Sequence, residues 1–343
     1  MNIALVKLSS IGDVVHALPV AAALRAALPQ ARIAWIVERR EAAVLRGNAA
    51  LSEVVPVDTR GWRWPRSPQG VAETTGALVA LGRQLRASRF DVAIDLQGLV
   101  KSGVITAATR APLRIGFAAS QCRESLNTLF TNRRVTPPPT AHHVVDRYLS
   151  LVEPLGVRAA AVEFSLPTSE AAEERVDDVL GRKGLRSRDR LVVLNPGAGR
   201  PDKRWPAVHF RGLARRLVDD LKVSVLVTWG PHELGDAHTI VGDETAGRAA
   251  LAPPTSLEEL LAVLRRASVV VAGDTGPLHM AAALGTPCVG LYGPTSAVRN
   301  GPYGQVPRTL TSPNGTMAAL TVDAVFRAVV DVLELETSAA RAR

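Results

Sequence analysis

The sequence predicts an α/β protein of two doubly wound domains facing across a cleft, on three observations. Short apolar runs of strand length alternate with longer segments of helical period, the pattern of βαβ units around a mainly parallel sheet. The alternation stops in a polar stretch over 156–167 and then restarts, so each half carries its own sheet. The length of 343 residues exceeds what one hydrophobic core ordinarily holds and fits two. The expected division is a domain over 1–160, a second over 161–320, and a C-terminal helix and tail over 321–343.

In the first half, strands are expected over 2–6, 33–37, 54–57, 92–96 and 113–116. A helix over 70–88 places Leu78, Leu81 and Leu85 on one face, three and four residues apart. A further helix is expected over 143–155. In the second half, a charged helix leads to strands over 191–194, 224–228, 268–272 and 288–292, with helices over 208–219, 256–266 and 276–284 between them. Ligands of open parallel sheets bind beyond the carboxyl ends of the strands, so chemistry is sought in the loops there.

No apolar run approaches the ~20 residues that cross a bilayer, and the start lacks the basic segment, apolar run and cleavage site of a signal peptide. A cytosolic protein is expected. Cys122 and Cys288 lie far apart in unlike contexts, implying neither a disulfide nor a metal site. The formal net charge of +9, from 41 Lys+Arg against 32 Asp+Glu, points to an anionic partner. Aromatic residues are 4% of the chain and no helix-turn-helix, zinc-finger or RNP pattern occurs, so a phosphorylated membrane surface fits better than nucleic acid. Arginine spread over ordinary solvated faces accounts for the charge equally well.

Three stretches carry the candidate chemistry. Lys7-Leu8-Ser9-Ser10-Ile11-Gly12-Asp13 follows the first strand and opens a helix. Asp13 there serves either as a helix cap or as a general base, and His16 lines the same place or simply packs. Asn195-Pro196-Gly197-Ala198-Gly199 leads to Asp202-Lys203-Arg204-Trp205-Pro206, either a structural turn or a phosphate cradle neutralised by Lys203 and Arg204. Gly273-Asp274-Thr275-Gly276-Pro277-Leu278-His279 joins a strand to an Ala-rich helix. The amides of Thr275, Gly276 and Leu278 form a pyrophosphate site at the helix start, with Asp274 turned to sugar hydroxyls; the alternative is an Asp cap with Pro in the first turn.

G-x-G-x-x-G with an acidic residue ~20 positions on, G-x-x-x-x-G-K-[ST] and H-E-x-x-H are all missing, so dehydrogenase, P-loop and zinc-protease readings lose support. No Asp-x-Asp pair is placed to hold a cation with a nucleotide. No metal is therefore expected, and Lys203 with a helix dipole carries the positive charge.

Together these stretches resemble glycosyltransferase family 9, the ADP-heptose transferases of lipopolysaccharide synthesis, and are most similar to its heptosyltransferase I branch. The resemblance spans nearly the whole chain. It includes the opening Val6–Pro19 stretch, Trp35-Ile36-Val37-Glu38, Asp95-Leu96-Gln97-Gly98-Leu99-Val100-Lys101-Ser102, Lys203-Arg204-Trp205-Pro206, Trp229-Gly230-Pro231-His232-Glu233, the 273–279 stretch and Tyr292-Gly293-Pro294-Thr295. Pro277-Leu278 stands where that branch usually has Leu-Ser.

The resemblance implies the GT-B architecture, two Rossmann-like domains facing across a cleft, and an inverting, metal-independent transfer. The donor would be ADP-L-glycero-D-manno-heptose and the acceptor the Kdo of phosphorylated Kdo-lipid A. By the same implication Asp13 is the general base, Lys203 also serves catalysis, and Lys203 with Thr275, Gly276 and Leu278 holds the pyrophosphate. Asn195, Gly197 and Glu233 would bind the rest of the nucleotide, Glu233 at the ribose, while Asp274 and His279 face sugar and phosphate. Ser10, Gly12, Arg60, Arg63, Arg66, Lys101 and Arg123 would take the acceptor, with Trp62 and Trp64 on sugar or lipid. A monomer at the cytoplasmic face of the inner membrane is implied, with no nucleic acid and no cofactor beyond the donor. Two other readings keep the fold: a transferase using another nucleotide sugar or a protein hydroxyl, and a nucleotide-sugar-binding protein without catalysis.

Overall fold

The structure, a computed structural model, describes residues 1–59, 68–185, 190–242 and 247–341, with side chains outside 68–74 and 336–341. The chain divides into two compact units, Met1–Leu166 and Pro167–Arg343.

The first unit runs β1 (Asn2–Val6), α1 (Ile11–Ala27), β2 (Arg32–Glu38), β3 (Glu53–Val57), α2 (Pro68–Ala87), β4 (Val92–Asp95), α3 (Val100–Ala108), β5 (Leu113–Phe117), β6 (Arg133–Val135) and α4 (Val144–Leu149). Its strands lie in the order β3-β2-β1-β4-β5-β6, every neighbour parallel. Sheets covered by helices on both faces have strands that read as continuous apolar runs, and β1, β2 and β4 are buried almost end to end.

The second unit runs α5 (Glu170–Arg182), β7 (Leu191–Asn195), α6 (Ala207–Leu221), β8 (Ser224–Val227), α7 (Leu234–Val241), β9 (Ala249–Leu251), α8 (Leu257–Arg266), β10 (Val269–Gly273), α9 (Gly276–Ala283), β11 (Cys288–Tyr292), α10 (Ala297–Asn300), β12 (Thr309–Thr311) and α11 (Val322–Arg341). Its strand order is β12-β11-β10-β7-β8-β9, again all parallel. Both units are therefore Rossmann-like, each with its first strand beside its fourth. The winding reverses between β1 and β4 and between β7 and β10, and beyond the carboxyl ends of such a pair a ligand crevice forms.

Three details differ from the sequence reading. The edge strands β6, β9 and β12 have three residues each, partly exposed, too short to stand out as apolar runs. The helix expected over 143–155 stops at Leu149 and continues as a 3-10 segment, Ser150–Leu155, because Pro154 has no N–H to donate and crowds the carbonyl four residues back. The Leu78, Leu81, Leu85 stripe of α2 leaves the core gradually: Leu85 is buried, Leu81 partly buried against the core, and Leu78 exposed. Among the described residues no helix is long and apolar enough to cross a membrane.

Candidate functional site

At the first reversal point, β1 continues into Lys7, a charged residue at the end of an apolar strand. It is 3% exposed. Its Nζ donates to the Tyr148 hydroxyl of α4 at 2.7 Å and to the Leu96 carbonyl at 3.4 Å, and lies 3.8 Å from Asp13 Oδ1. Burial alone would lower the Lys7 pKa, but Asp13, Tyr148 and Asp95 outweigh it and hold the ammonium above its ordinary value. Trp35 fixes the same turn, its ring N–H donating to the Lys7 carbonyl at 3.1 Å.

The next two residues are pinned by Gln97, just past the end of β4. Gln97 Oε1 accepts from the Leu8 N–H at 3.0 Å, and its Nε2 donates to the Ser9 carbonyl at 2.8 Å. Gln97 is in turn seated on Asp95, a fully buried carboxylate whose Oδ1 accepts from the N–H groups of Gln97 and Gly98. Asp95 Oδ2 accepts from Ser102 Oγ at 2.9 Å and Asn127 Nδ2 at 2.6 Å. Burial pushes the Asp95 carboxyl up against the pull of these four donors, and the net direction is upward.

On this platform Ser10 is the N-cap of α1, Gly12 is buried in the first turn, and Asp13 occupies the third helical position. Asp13 is thus not the cap itself. Its Oδ2 accepts from the Ser10 N–H at 3.1 Å and the Ser10 hydroxyl at 3.0 Å, the reciprocal half of a capping box. The side chain remains 44% exposed, so a carboxylate with a buried cation behind it reaches solvent. His16 is buried one turn on, its ring edge-to-face with His143.

Of the residues assigned to the acceptor by resemblance, Ser10 and Gly12 lie on this loop. Lys101, in the first turn of α3, donates to Thr59 Oγ1 at 3.3 Å and lies 3.8 Å from buried Glu38. Arg123 is exposed, its backbone N 3.6 Å from where a Cβ on Gly98 would stand. Arg60, Arg63 and Arg66, with Trp62 and Trp64, lie outside the described residues.

At the second reversal point the end of β7 carries buried Asn195, whose Oδ1 accepts from Thr228 Oγ1 at 3.1 Å while Nδ2 donates to the Gly197 carbonyl at 3.2 Å. Gly197 is there for space, since a Cβ at this position would run into the Glu233 carboxylate. Glu233 accepts from the Gly230 N–H at 2.7 Å and lies 3.9 Å from Arg204, whose guanidinium donates to the Ala198 carbonyl.

Lys203 closes the 3-10 turn Pro201–Lys203, and its carbonyl presses on Gly273, where a Cβ would approach it to 2.9 Å. Its Nζ donates to Asp274 Oδ2 at 2.7 Å, and Asp274 Oδ1 contacts His279 Nε2 at 3.0 Å. Both carboxylate oxygens are engaged within the protein. Burial would raise the Asp274 pKa, but the hydrogen bonds and charges of His279 and Lys203 prevail and hold it well below the usual carboxylate range. Thr275 is the N-cap of α9, its hydroxyl donating to the Gly273 carbonyl instead of capping; Gly276 and Pro277 begin the helix, and Leu278 is buried. The first-turn N–H groups and the positive end of the dipole therefore lie beside Lys203 and Asp274.

The structure groups Ser10, Gly12 and Asp13 at one reversal point, and Asn195, Gly197, Lys203, Glu233, Asp274, Thr275, Gly276, Leu278 and His279 around the other. Roles for Lys7, Asp95, Gln97, Asn127 and Tyr148 were not anticipated. A lysine directly continuing a buried strand was the one local signal; its partner Tyr148 lies 141 positions away.

Comparison with known proteins gives a consistent set. Glycosyltransferase family 9 (heptosyltransferase) matches residues 78–327. Lipopolysaccharide heptosyltransferase 1 of Salmonella typhimurium is 32% identical over 329 residues, covering 95% of this chain and 99% of that protein. The structure of E. coli heptosyltransferase WaaC with ADP superposes with a TM-score of 0.78 at 30% identity, covering 97% of this chain and all of the other. WaaC with ADP-2-deoxy-2-fluoro heptose gives a TM-score of 0.75 at 30% identity, over 96% and 99% of the two chains.

Proposed function

The chain belongs to glycosyltransferase family 9 and has its GT-B fold, and from that premise we propose that it moves heptose from ADP-L-glycero-D-manno-heptose to the Kdo of Kdo-lipid A. The names of its relatives support the sugar and the lipopolysaccharide, and the ADP and fluoro-heptose complexes of WaaC support an ADP-sugar donor. The observation that carries the reading is the pair of ion pairs. One unit turns an exposed carboxylate, Asp13, outward over a buried lysine; the other holds a lysine, Lys203, over a buried carboxylate at a helix start.

In the transfer, Asp13 takes the proton of the acceptor hydroxyl as that oxygen attacks the anomeric carbon. The bond from that carbon to the β-phosphate oxygen breaks, and ADP leaves with the electron pair. Attack from the face opposite the leaving group inverts the anomeric centre. Lys203 and the N–H groups of Gly276 and Leu278 stabilise the charge that develops on the diphosphate, so the step is metal-independent. Asn195, Gly197 and Glu233 border the nucleoside, with Glu233 accepting from ribose hydroxyls. Asp274 aims Lys203, and His279 supports Asp274. Ser10, Gly12, Lys101 and Arg123, together with Arg60, Arg63 and Arg66, meet the carboxylates and phosphates of the acceptor. The enzyme acts as a monomer at the cytoplasmic face of the inner membrane.

The test is to incubate the purified protein with ADP-heptose and Kdo-lipid A, with and without EDTA, and weigh the lipid by mass spectrometry. A mass gain of one heptose in both reactions is expected. Transfer only from a different nucleotide sugar would replace the donor assignment, and loss of the product in EDTA would end the metal-independent mechanism.

A further inference from the structure

We propose that α2, α3 and the 3-10 turn Ser125–Leu129 form a surface that seats in an anionic bilayer. The inference rests on the lipid acceptor proposed above and extends it to the membrane carrying that acceptor. Among the described residues ten large hydrophobic side chains stand exposed, and five of them fall on these three elements: Leu78 and Val79 on α2, Val104 on α3, Leu126 and Leu129 on the turn. α2 packs against α3 and α3 against the turn, so the elements that carry them make one contiguous surface. Exposed apolar groups scattered singly need no explanation; half of them on three successively packed elements of one unit do.

The turn is the sharpest part. Side chains three apart eclipse in a 3-10 helix, so Leu126 and Leu129 project together, 63% and 73% exposed. Between them Asn127 points inward, fully buried, donating to Asp95 Oδ2 at 2.6 Å and to the Leu99 carbonyl at 2.8 Å. Arg134 steadies the turn further, donating to the Thr128 carbonyl at 3.1 Å. The two leucines are thus held in water by buried hydrogen bonds.

Cations border this apolar surface. On α2, Val79, Arg83 and Arg86 recur at helical spacing and share one exposed stripe. Arg110 follows α3, and Arg123 and Arg134 flank the turn, all exposed. The acidic neighbour Glu124 is turned onto the Val100 N–H at 2.6 Å. Apolar side chains within a basic border suit the headgroup region of an anionic bilayer, where leucines enter the acyl boundary and guanidinium groups meet lipid phosphates. That border favours lipid over an apolar protein partner. Asp95 also seats Gln97, which clamps Leu8 and Ser9, so the turn is tied through buried side chains to the loop that leads to Asp13. Seating the turn would set the height of that loop above the bilayer.

Sedimentation of the full-length protein with vesicles of equal parts phosphatidylglycerol and phosphatidylcholine tests the proposal. Wild type is expected to bind these and to bind phosphatidylcholine vesicles far more weakly. The double variant Leu126→Ser, Leu129→Ser should lose about tenfold or more in vesicle affinity with its melting temperature unchanged. Val208→Ser, at an equally exposed position of the other unit, should bind as wild type. Arg83→Gln with Arg86→Gln should weaken binding and reduce its salt dependence. Equal binding by wild type and the double leucine variant would overturn the proposal, as would a wild type that ignores anionic vesicles but self-associates through these leucines. Vesicle binding needs no sugar donor, so a failed transfer assay with intact, leucine-dependent binding would overturn the proposed reaction and leave this surface standing.

Discussion

The two reversal points have the same topology and opposite polarity. In the first unit the lysine is the buried member of the pair and the carboxylate is exposed, 3% against 44%. In the second the carboxylate is buried and the lysine more exposed, 7% against 21%. A buried ion is costly unless paired, so in each case the inner charge exists to hold the outer one. What the outer group can do then follows from its sign. A carboxylate held at the surface beside an ammonium can take a proton; an ammonium aimed by a carboxylate, beside a helix start, can grip an anion. On the proposed roles, one fold used twice would supply the base and the anion site by exchanging inner and outer residues.

The largest test of that contrast is to neutralise each outer group. Asp13→Asn keeps the shape and the Ser10 contacts but cannot accept a proton, so turnover should fall by about 10²-fold or more while ADP affinity, measured by calorimetry, stays near wild type. Lys203→Ala should instead weaken ADP affinity by about tenfold or more and lower turnover as well, since its charge serves bound and departing diphosphate alike. Near-normal turnover in Asp13→Asn, or unchanged ADP affinity in Lys203→Ala, would break the division of labour.

Removing an inner charge gives a smaller, more specific effect. With Lys7→Met the cation 3.8 Å from Asp13 is gone, and protonation of Asp13 becomes easier. The acid limb of the kcat/KM profile should move to higher pH, with ADP affinity unchanged. Tyr148→Phe keeps the Lys7 charge and should move that limb less. The other charged or titratable groups nearby are Asp95 on β4, His16 on α1, His143 at the N-cap of α4 and Arg147 on α4; they remain in both variants, so an unmoved limb in Lys7→Met would show that Lys7 is structural only.

The contacts that hold the inner charges were less legible in the sequence than the outer groups. Long central strands such as β1, β7 and β10 show as apolar runs because both their faces are covered, and the loops after them hold the outer groups. The edge strands β6, β9 and β12 bury too little to leave such a run. Asp13 and Lys203 stand in recognisable local stretches. The partners of the buried groups come from far away in the chain, Tyr148 for Lys7 and Asn127 for Asp95, and only the winding of the sheet brings them together. Asp274 was expected to face sugar hydroxyls; that each of its oxygens also engages a side chain, Lys203 and His279, was not legible in the sequence.

That engagement predicts a modest pH signature of stability in the second unit. The folded-state pKa of Asp274 lies below its unfolded value, so its pairing stabilises the fold above the ordinary carboxylate pKa of about 4, and this contribution is lost as pH falls towards the folded value. Asp274→Asn leaves Lys203 and His279 facing an amide at every pH. At neutral pH wild type should therefore melt a few degrees higher, roughly 2–4 °C for a unit of this size, and the gap should narrow as the pH is lowered below about 4. A gap that is the same at both ends of that range would mean that Asp274 contributes shape and not charge, and the inner carboxylate would lose its place in the comparison.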